Sequence, residues 1–452
     1  MSGAPAGEAE VILSRIEATS GRPLRAMIEI SDRCNEVCVH CYQVQGQKGE
    51  MTTAQIKTVM DELAELGVLV LTISGGEATL RKDFLELLAH ARGCGFAIRL
   101  FTNGLTMTRD LAHALKELAV HVVEISVYSH RAELHDFVTG VRGAFDKTIA
   151  GIRYLAAEGV DVHMKTPMMS MNEDDVDAYI ALATELGATY AFDPSQMMPR
   201  EDGSRAPELY NRSEDAYRRV MQDPRLAAAP MAPRPQKPLD ATLCGAGELV
   251  HIEPNGEIRP CTMLSLPLGN AAEHGVREAR EHGRAWRELL ALRWRDVHGC
   301  RDCDLRAYCG RCHASALAEA GDALGPYASA CARARTHYEL AHGVGPRVTA
   351  TSPAHDIALG PYRQLGDHAF TTADDVVTPD DNALAERLGW VRRAPSAAAP
   401  VTRARPGELV QIRRPGHRRA SLERVPAASH AFALQDGREP ALLADVGVLG
   451  SK

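Results

Sequence analysis

The sequence predicts an α/β protein, with a parallel sheet and crossover helices in its N-terminal half and a small cysteine-rich domain after it. Six short apolar runs alternate with amphipathic segments between residues 26 and 195, a pattern typical of repeated strand–helix units. Seven of the eleven cysteines then fall between Cys244 and Cys331. The predicted organisation is an N-terminal extension (1–25), the strand–helix domain (26–195), a linker rich in Pro, Arg and Met (196–240), the cysteine-rich domain (241–342) and a C-terminal extension (343–452).

The strand–helix units follow one another in regular order. The predicted strands are 26–31, 68–74, 96–102, 120–127, 160–166 and 188–193, and the predicted helices are 53–66, 83–92, 108–118, 145–158 and 173–186. A glycine stands just past the end of four of these helices, as helix C-termini favour: Gly67, Gly93, Gly159 and Gly187. Six units are fewer than the eight of a complete barrel.

Composition excludes several classes of protein. The chain has 452 residues, 45% of them hydrophobic, a net charge of −8 and only 5% aromatic residues. No basic surface or set of stacking side chains points to nucleic acid. The first residues lack the features of a signal peptide, and no stretch is long and apolar enough to cross a membrane. We therefore expect a cytoplasmic protein whose cysteines stay reduced and serve as ligands.

Three thiols stand directly after the first predicted strand. Cys34, Cys38 and Cys41 fall within eight residues, at the carboxyl end of a strand, where α/β enzymes place their chemistry. Three thiolates bind a 4Fe-4S cluster and leave one iron without a protein ligand. The alternative is a structural zinc site, which usually has four ligands.

The spacing of these thiols, with His40 just before the last one, resembles the radical S-adenosylmethionine (SAM) superfamily. This resemblance implies a partial (β/α)6 TIM-like barrel over the whole strand–helix region. It also implies that Cys34, Cys38 and Cys41 hold a 4Fe-4S cluster, whose open iron is chelated by SAM, and that His40 lies beside the adenine.

Further candidate SAM contacts follow later strands. Gly75, Gly76 and Glu77 come after the second strand, where glycines let backbone approach a ligand and a carboxylate reaches a cation. The family's equivalent stretch binds the SAM ammonium group, although Ala78 replaces the proline that commonly follows. Similar placement at strand ends adds Asn103, Ser126 and Lys165 as candidates. The resemblance implies that Ser126 contacts the ribose and that Lys165 contacts the SAM carboxylate. The alternative for each is an ordinary turn or solvated polar residue.

The second cysteine array resembles the SPASM extension of radical SAM peptide-modifying enzymes, which carries two auxiliary 4Fe-4S clusters. A predicted hairpin with an Asn255-Gly256 turn precedes Cys261. One spacing departs from the family, because two residues instead of three precede Cys312. The resemblance assigns Cys300, Cys303, Cys309 and Cys331 to an outer cluster, and Cys244, Cys261 and Cys312 to an inner cluster that lacks a fourth cysteine. The alternative is a pair of zinc ribbons.

The resemblance implies a radical SAM oxidoreductase of peptide natural-product (RiPP) biosynthesis. Such an enzyme cleaves SAM to a 5′-deoxyadenosyl radical and oxidatively modifies, most simply crosslinks, a ribosomally made precursor peptide. Expected partners are that peptide, a separate leader-peptide recognition protein, and flavodoxin or ferredoxin as reductant. Two alternatives keep the radical chemistry but change the substrate to a tetrapyrrole precursor or a sulfatase active-site residue. A third alternative is a zinc-stapled binding module without catalysis.

Overall fold

A computed structural model describes residue 16 and residues 22–226, 238–242 and 249–346. These all belong to one compact unit, Met1–Val410, and the second unit, Gln411–Lys452, lies outside the described residues. Most of the predicted N- and C-terminal extensions and part of the linker also lie outside them. Within the described ranges, no helix is long and apolar enough to span a bilayer.

The N-terminal half contains six parallel strands and seven helices among its described residues. The strands are β1 (Arg25–Glu29), β2 (Val70–Ser74), β3 (Ala97–Thr102), β4 (Val122–Ser126), β5 (Val162–Pro167) and β6 (Thr189–Asp193). The helices are α1 (Thr53–Glu65), α2 (Phe84–Gly93), α3 (Arg109–Glu117), α4 (Ala132–Thr139), α5 (Ala144–Ala157), α6 (Val176–Glu185) and α7 (Glu214–Gln222). The predicted α/β class and the parallel sheet are confirmed. Helices α4 and α7 were not predicted, and α7 lies in the stretch that the sequence predicts as a linker.

The cysteine-rich half adds three short strands and five helices. The strands are β7 (Val250–Ile252), β8 (Glu257–Arg259) and β9 (Gly269–Asn270). The helices are α8 (Ala271–His274), α9 (Val276–His282), α10 (Arg284–Ala291), α11 (His313–Ala320) and α12 (Ala328–His342). Strands β7 and β8 form the predicted hairpin, and Gly256 in its turn has a φ of +88°, which suits glycine.

All nine described strands form one sheet, in the order β6-β5-β4-β3-β2-β1-β7-β8-β9. Strand β7 pairs in parallel with β1, so the hairpin of the cysteine-rich half extends the sheet of the first half. Among the described strands, β6 and β9 are the two edges and do not pair with each other. The sheet is therefore open, and β1, which leads into the first three cysteines, lies inside it.

Alternating side chains separate the core from the concave side of the sheet. Ile28, Ile73, Leu100 and Ile125 are fully buried between the strands and the outer helices. Helix α1 packs on this layer through Ile56, Val59, Met60 and Leu63, which recur at helical spacing, and Thr52 caps it with a capping box. Residues at the alternate strand positions, many of them polar, face the other side, where the candidate site lies.

Candidate active site and metal centres

The loop that carries Cys34, Cys38 and Cys41 is held by helix α4. The backbone N–H groups of Val37 and Val39 donate to the carbonyl oxygens of Thr139 and Val138, both at 2.9 Å. Cys38 is buried, and the N–H of Cys41 donates to the carbonyl of Cys38 at 3.1 Å, which closes a turn between two of the thiols. The thiols therefore sit on a loop fixed by neighbouring backbone.

The two glycines of the Gly75-Gly76-Glu77 stretch pack against the start of this loop. The N–H of Gly76 donates to the carbonyl of Ser31 at 2.7 Å, and the N–H of Glu77 donates to that of Arg33 at 2.8 Å. A Cβ on Gly76 would lie 2.7 Å from the carbonyl carbon of Arg33. The glycines therefore also allow a close approach to the segment that enters the cysteine loop, in addition to the approach to a ligand that the sequence predicts.

The Glu77 side chain is buried and hydrogen-bonded within the protein. Its Oε1 accepts from the Thr79 N–H at 3.1 Å, from the Thr79 hydroxyl at 2.6 Å and from the Thr102 hydroxyl at 2.8 Å, and its Oε2 accepts from the N–H of Asn103 at 2.8 Å. A carboxylate oxygen has about two acceptor sites, so Oε1 is fully used while Oε2 keeps one site. Glu77 thus joins the ends of β2 and β3 behind the cysteine loop.

Asn103 connects the end of β3 to the first cysteine. Its side-chain amide donates to the Asn35 side-chain oxygen at 2.7 Å and lies 3.8 Å from the Sγ of Cys34. The structure therefore brings Cys34, Glu77 and Asn103 together, although they are far apart in sequence. Neighbouring strand ends meet at one edge of a parallel sheet, which is why the sequence could anticipate this cluster.

The thiols lie in a buried, acidic setting. Burial raises the pKa of Cys34 to about 12 and raises the pKa of Cys38 well above its ordinary value. Cys38 donates a hydrogen bond to Glu36 at 3.2 Å, and burial raises the pKa of that carboxyl group to about 8. Such thiols lose their protons when a metal takes the proton's place, so the loop fits a metal centre.

Tyr128 is a site residue that the sequence analysis missed. Its hydroxyl lies 3.7 Å from the Sγ of Cys38, and its ring contacts the imidazole of His40 with centroids 4.8 Å apart. The buried Nδ1 of His40 has no hydrogen-bond partner among the described residues. Tyr128 stands two residues after the end of β4, so the strand-end rule that selected Ser126 could have found it.

Ser126 and Lys165 are neighbours in the register of β4 and β5. The ammonium group of Lys165 forms an ion pair with Glu124 at 2.9 Å and lies 3.1 Å from the ring centroid of Phe101. Burial lowers the pKa of Lys165, while Glu124 opposes that shift. Arg99 donates to the same carboxylate from Nε at 2.7 Å. The predicted SAM-carboxylate ligand is therefore part of a charged cluster on the concave side of the sheet.

The later cysteines separate into two groups. One small cavity is lined by four thiols, together with Arg306, Arg311 and other residues. These thiols are the set predicted for the outer cluster: Cys300, Cys303, Cys309 and Cys331. Burial raises the pKa of Cys331 well above its ordinary value, and the other three thiols add to the shift, so the four lie close together.

The second group is only partly described. Burial raises the pKa of Cys261, and the nearby Cys312 adds a smaller contribution, which places these two thiols near each other. The predicted third member, Cys244, lies outside the described residues.

Comparisons with known proteins agree with this architecture. Residues 28–183 match the model of the radical SAM superfamily. The chain is 27% identical over 337 residues to the AdoMet-dependent heme synthase of Methanosarcina barkeri, covering 68% of this chain and 96% of that protein. It is 29% identical over 389 residues to the PqqA peptide cyclase of Xanthomonas campestris pv. campestris, covering 79% and 98%.

Solved structures show the same fold at low sequence identity. Native anSMEcpe with bound AdoMet superposes with a TM-score of 0.54 at 18% identity, over 71% of this chain and 97% of that chain. SuiB of Streptococcus suis bound to S-adenosylmethionine superposes with a TM-score of 0.52 at 16% identity, over 66% and 74%.

An open parallel barrel with three thiols after its first strand defines an enzyme of the cluster-dependent radical class. Residues 28–183 of the chain are a domain of the radical SAM superfamily, and the relatives that the chain matches agree with the SPASM-type cysteine-rich region that the sequence predicts after it. Membership in the superfamily implies SAM and one 4Fe-4S cluster as cofactors.

Proposed function

We propose that this enzyme cleaves SAM to a 5′-deoxyadenosyl radical and oxidatively modifies a ribosomally made precursor peptide, with a crosslink as the product. The carrying observation is the similarity to the PqqA peptide cyclase over 98% of that protein's length and 79% of this chain. The mycofactocin maturase MftC of Mycolicibacterium smegmatis, 28% identical over 297 residues, supports the same class of substrate.

In this proposal, Cys34, Cys38 and Cys41 hold the cluster that binds SAM. When bound, the cluster supplies the electron that splits SAM into methionine and the radical. The fixed loop, with α4 on one side and Gly76 on the other, keeps the three thiols in one arrangement. The burial around Cys38 and Tyr128 excludes water, which protects a reactive radical from side reactions.

The remaining predicted residues surround the proposed SAM site. Gly75, Gly76 and Glu77 are the proposed ammonium-binding element, in which Thr79, Thr102 and Asn103 hold the Glu77 carboxylate in place. We assign His40 to the adenine, Ser126 to the ribose and Lys165 to the SAM carboxylate. The free Nδ1 of His40 supports the first of these assignments.

Two auxiliary clusters complete the proposal. Four thiols around one cavity support an outer 4Fe-4S cluster on Cys300, Cys303, Cys309 and Cys331. The pair Cys261 and Cys312, with Cys244, is proposed to bind the inner cluster. Such clusters accept the electron that remains after an oxidative bond is formed. A flavodoxin or ferredoxin would supply the initial electron, and a separate protein would recognise the leader of the peptide.

The test uses anaerobically reconstituted enzyme, reduced with dithionite and mixed with SAM and with short candidate precursor peptides encoded near its gene. We expect 5′-deoxyadenosine and a peptide lighter by two mass units per crosslink, since an oxidative crosslink removes two hydrogens. The matched control, Cys34→Ala with Cys38→Ala and Cys41→Ala, should give neither product. Release of 5′-deoxyadenosine by that triple variant would refute the assignment of the loop.

A second substrate class is favoured by one specific observation. The chain also matches the AdoMet-dependent heme synthase over 96% of that protein. The same assay tests a tetrapyrrole substrate, with coproporphyrin-type compounds in place of the peptide. Mass change of the tetrapyrrole, with an unmodified peptide in the parallel reaction, would decide for this alternative.

A further inference from the structure

We propose that Asp61, His90 and Cys94 bind a divalent metal ion of the zinc class on the outer surface of the barrel. This site is independent of the iron–sulfur cysteines and of the proposed substrate. His90 lies in the last turn of α2, and Cys94 caps the same helix four residues later. Residues four apart share one face of a helix, and Asp61 faces them from the neighbouring helix α1.

Three donor atoms converge at this point. The Nε2 of His90 lies 2.8 Å from the Oδ1 of Asp61, and the Sγ of Cys94 lies 3.4 Å from the same oxygen. All three ligand atoms fall within 4.8 Å of one another, the only such group of His, Cys, Asp or Glu side chains among the residues that the structure describes.

The donor set and its spacing suit a tetrahedral ion. Imidazole nitrogen, thiolate sulfur and carboxylate oxygen are the ordinary ligands of zinc in proteins. Zinc bonds of about 2.0–2.3 Å in tetrahedral geometry place neighbouring donors roughly 3–4 Å apart. The 3.4 Å distance from Cys94 to Asp61 lies inside that range, and the 2.8 Å distance from His90 to Asp61 lies just below it. Small side-chain rotations would therefore accommodate an ion. An ion at this position would replace the two hydrogen bonds that join Asp61 to His90 and Cys94.

The surroundings leave the site available. The cation nearest along α1, Lys57, is paired with Glu86 of α2 at 2.6 Å, one helical turn before the site. The side chain of Asp61 is 57% exposed, so water can reach the site and supply a fourth ligand. A metal would join α1 to α2, the two helices that flank β2 and its Gly75–Glu77 stretch.

The test measures zinc in the reconstituted holoenzyme at buffered micromolar free zinc. We expect one zinc per chain after desalting. X-ray absorption at the zinc edge, which iron does not obscure, should show one sulfur atom bound to the zinc. The variants Cys94→Ser and His90→Gln should bind zinc at least about tenfold more weakly. Their iron and sulfide contents should stay unchanged.

A matched control separates this site from a simple histidine–carboxylate pair. His113 of α3 lies 3.0 Å from Glu158, also across two outer helices, and no thiol of the described residues joins that pair in one donor group. His113→Gln should retain the zinc. The proposal fails if wild-type enzyme retains no zinc, if the zinc shell contains three or four sulfurs from the cluster cysteines, or if Cys94→Ser binds zinc as tightly as wild type.

Discussion

Gly76 shows how a single residue positions the catalytic loop. Its backbone donates to Ser31, and the next N–H donates to Arg33, so the end of β2 and the entry to the cysteine loop lie in direct backbone contact. Any side chain would separate these two segments. The glycine pair therefore lets the end of β2 pack against the entry to the cysteine loop, in addition to its proposed contact with SAM.

Gly76→Ala is expected to destabilise the fold by about 1–3 kcal/mol, because the added methyl group meets backbone that cannot move aside. It should also lower the iron content of the radical cluster. Urea unfolding and iron analysis under nitrogen measure both effects. Gly93→Ala is the matched control, since a Cβ there meets nothing within 4 Å. Equal behaviour of the two variants would contradict the proposed contact.

At the scale of elements, α4 holds the cysteine loop. This helix accepts the loop's backbone N–H groups at Thr139 and Val138, and His135 on its buried face accepts the N–H of Tyr128 through Nδ1 at 3.2 Å. Burial lowers the pKa of His135 to about 4. The neutral imidazole therefore links α4 to the end of β4, next to Cys38.

Because of the neutral His135, we expect the protein to become less stable as the pH falls. Because the pKa of His135 is about 4 when folded and about 6.5 when unfolded, its protonation favours the unfolded state as the pH falls below 6.5. Between pH 7.5 and 5.5 we expect the free energy of unfolding to fall by about 1 kcal/mol more in wild type than in His135→Asn. The asparagine oxygen can accept the same N–H without titrating. Parallel pH slopes from anaerobic unfolding curves would argue against this role.

At the scale of the whole molecule, the two halves share one sheet. Strand β7 covers the edge of β1 that a six-stranded barrel would leave unpaired, and the Nε2 of His251 on β7 lies 3.1 Å from Glu29 on β1. Glu29 also accepts from Gln43, just past the cysteine loop, at 2.8 Å. A change in the cysteine-rich half can therefore affect the radical site through the sheet.

Cys303→Ala should lower the yield of soluble enzyme and abolish the modified product, while some SAM cleavage remains. Four thiols line a cavity with little apolar core around it, so bound metal contributes much of the local stability. Cys38→Ala provides the contrast: its loop is added to a barrel with its own core, so the variant should stay soluble and lose SAM cleavage. Soluble, fully active Cys303→Ala would remove the proposed structural and redox role.

The sequence determined the features that depend on local pattern. Alternating apolar runs predicted the order of β1 to β6, and the spacing of Cys34, Cys38 and Cys41 indicated the superfamily, because strand periodicity and ligand spacing are properties of neighbouring residues. The Asn255-Gly256 turn likewise predicted its hairpin.

Only the tertiary structure decided which distant residues meet. No local pattern shows that Gly76 contacts Arg33, that Glu77 is occupied by the ends of β2 and β3, or that β7 joins β1. The same holds for Asp61, His90 and Cys94. Asp61 lies on α1, more than twenty residues before His90 and Cys94 at the end of α2. Hydrogen bonds and metal sites depend on donors and acceptors meeting within a few ångströms, and that proximity exists only after the sheet and its helices have packed.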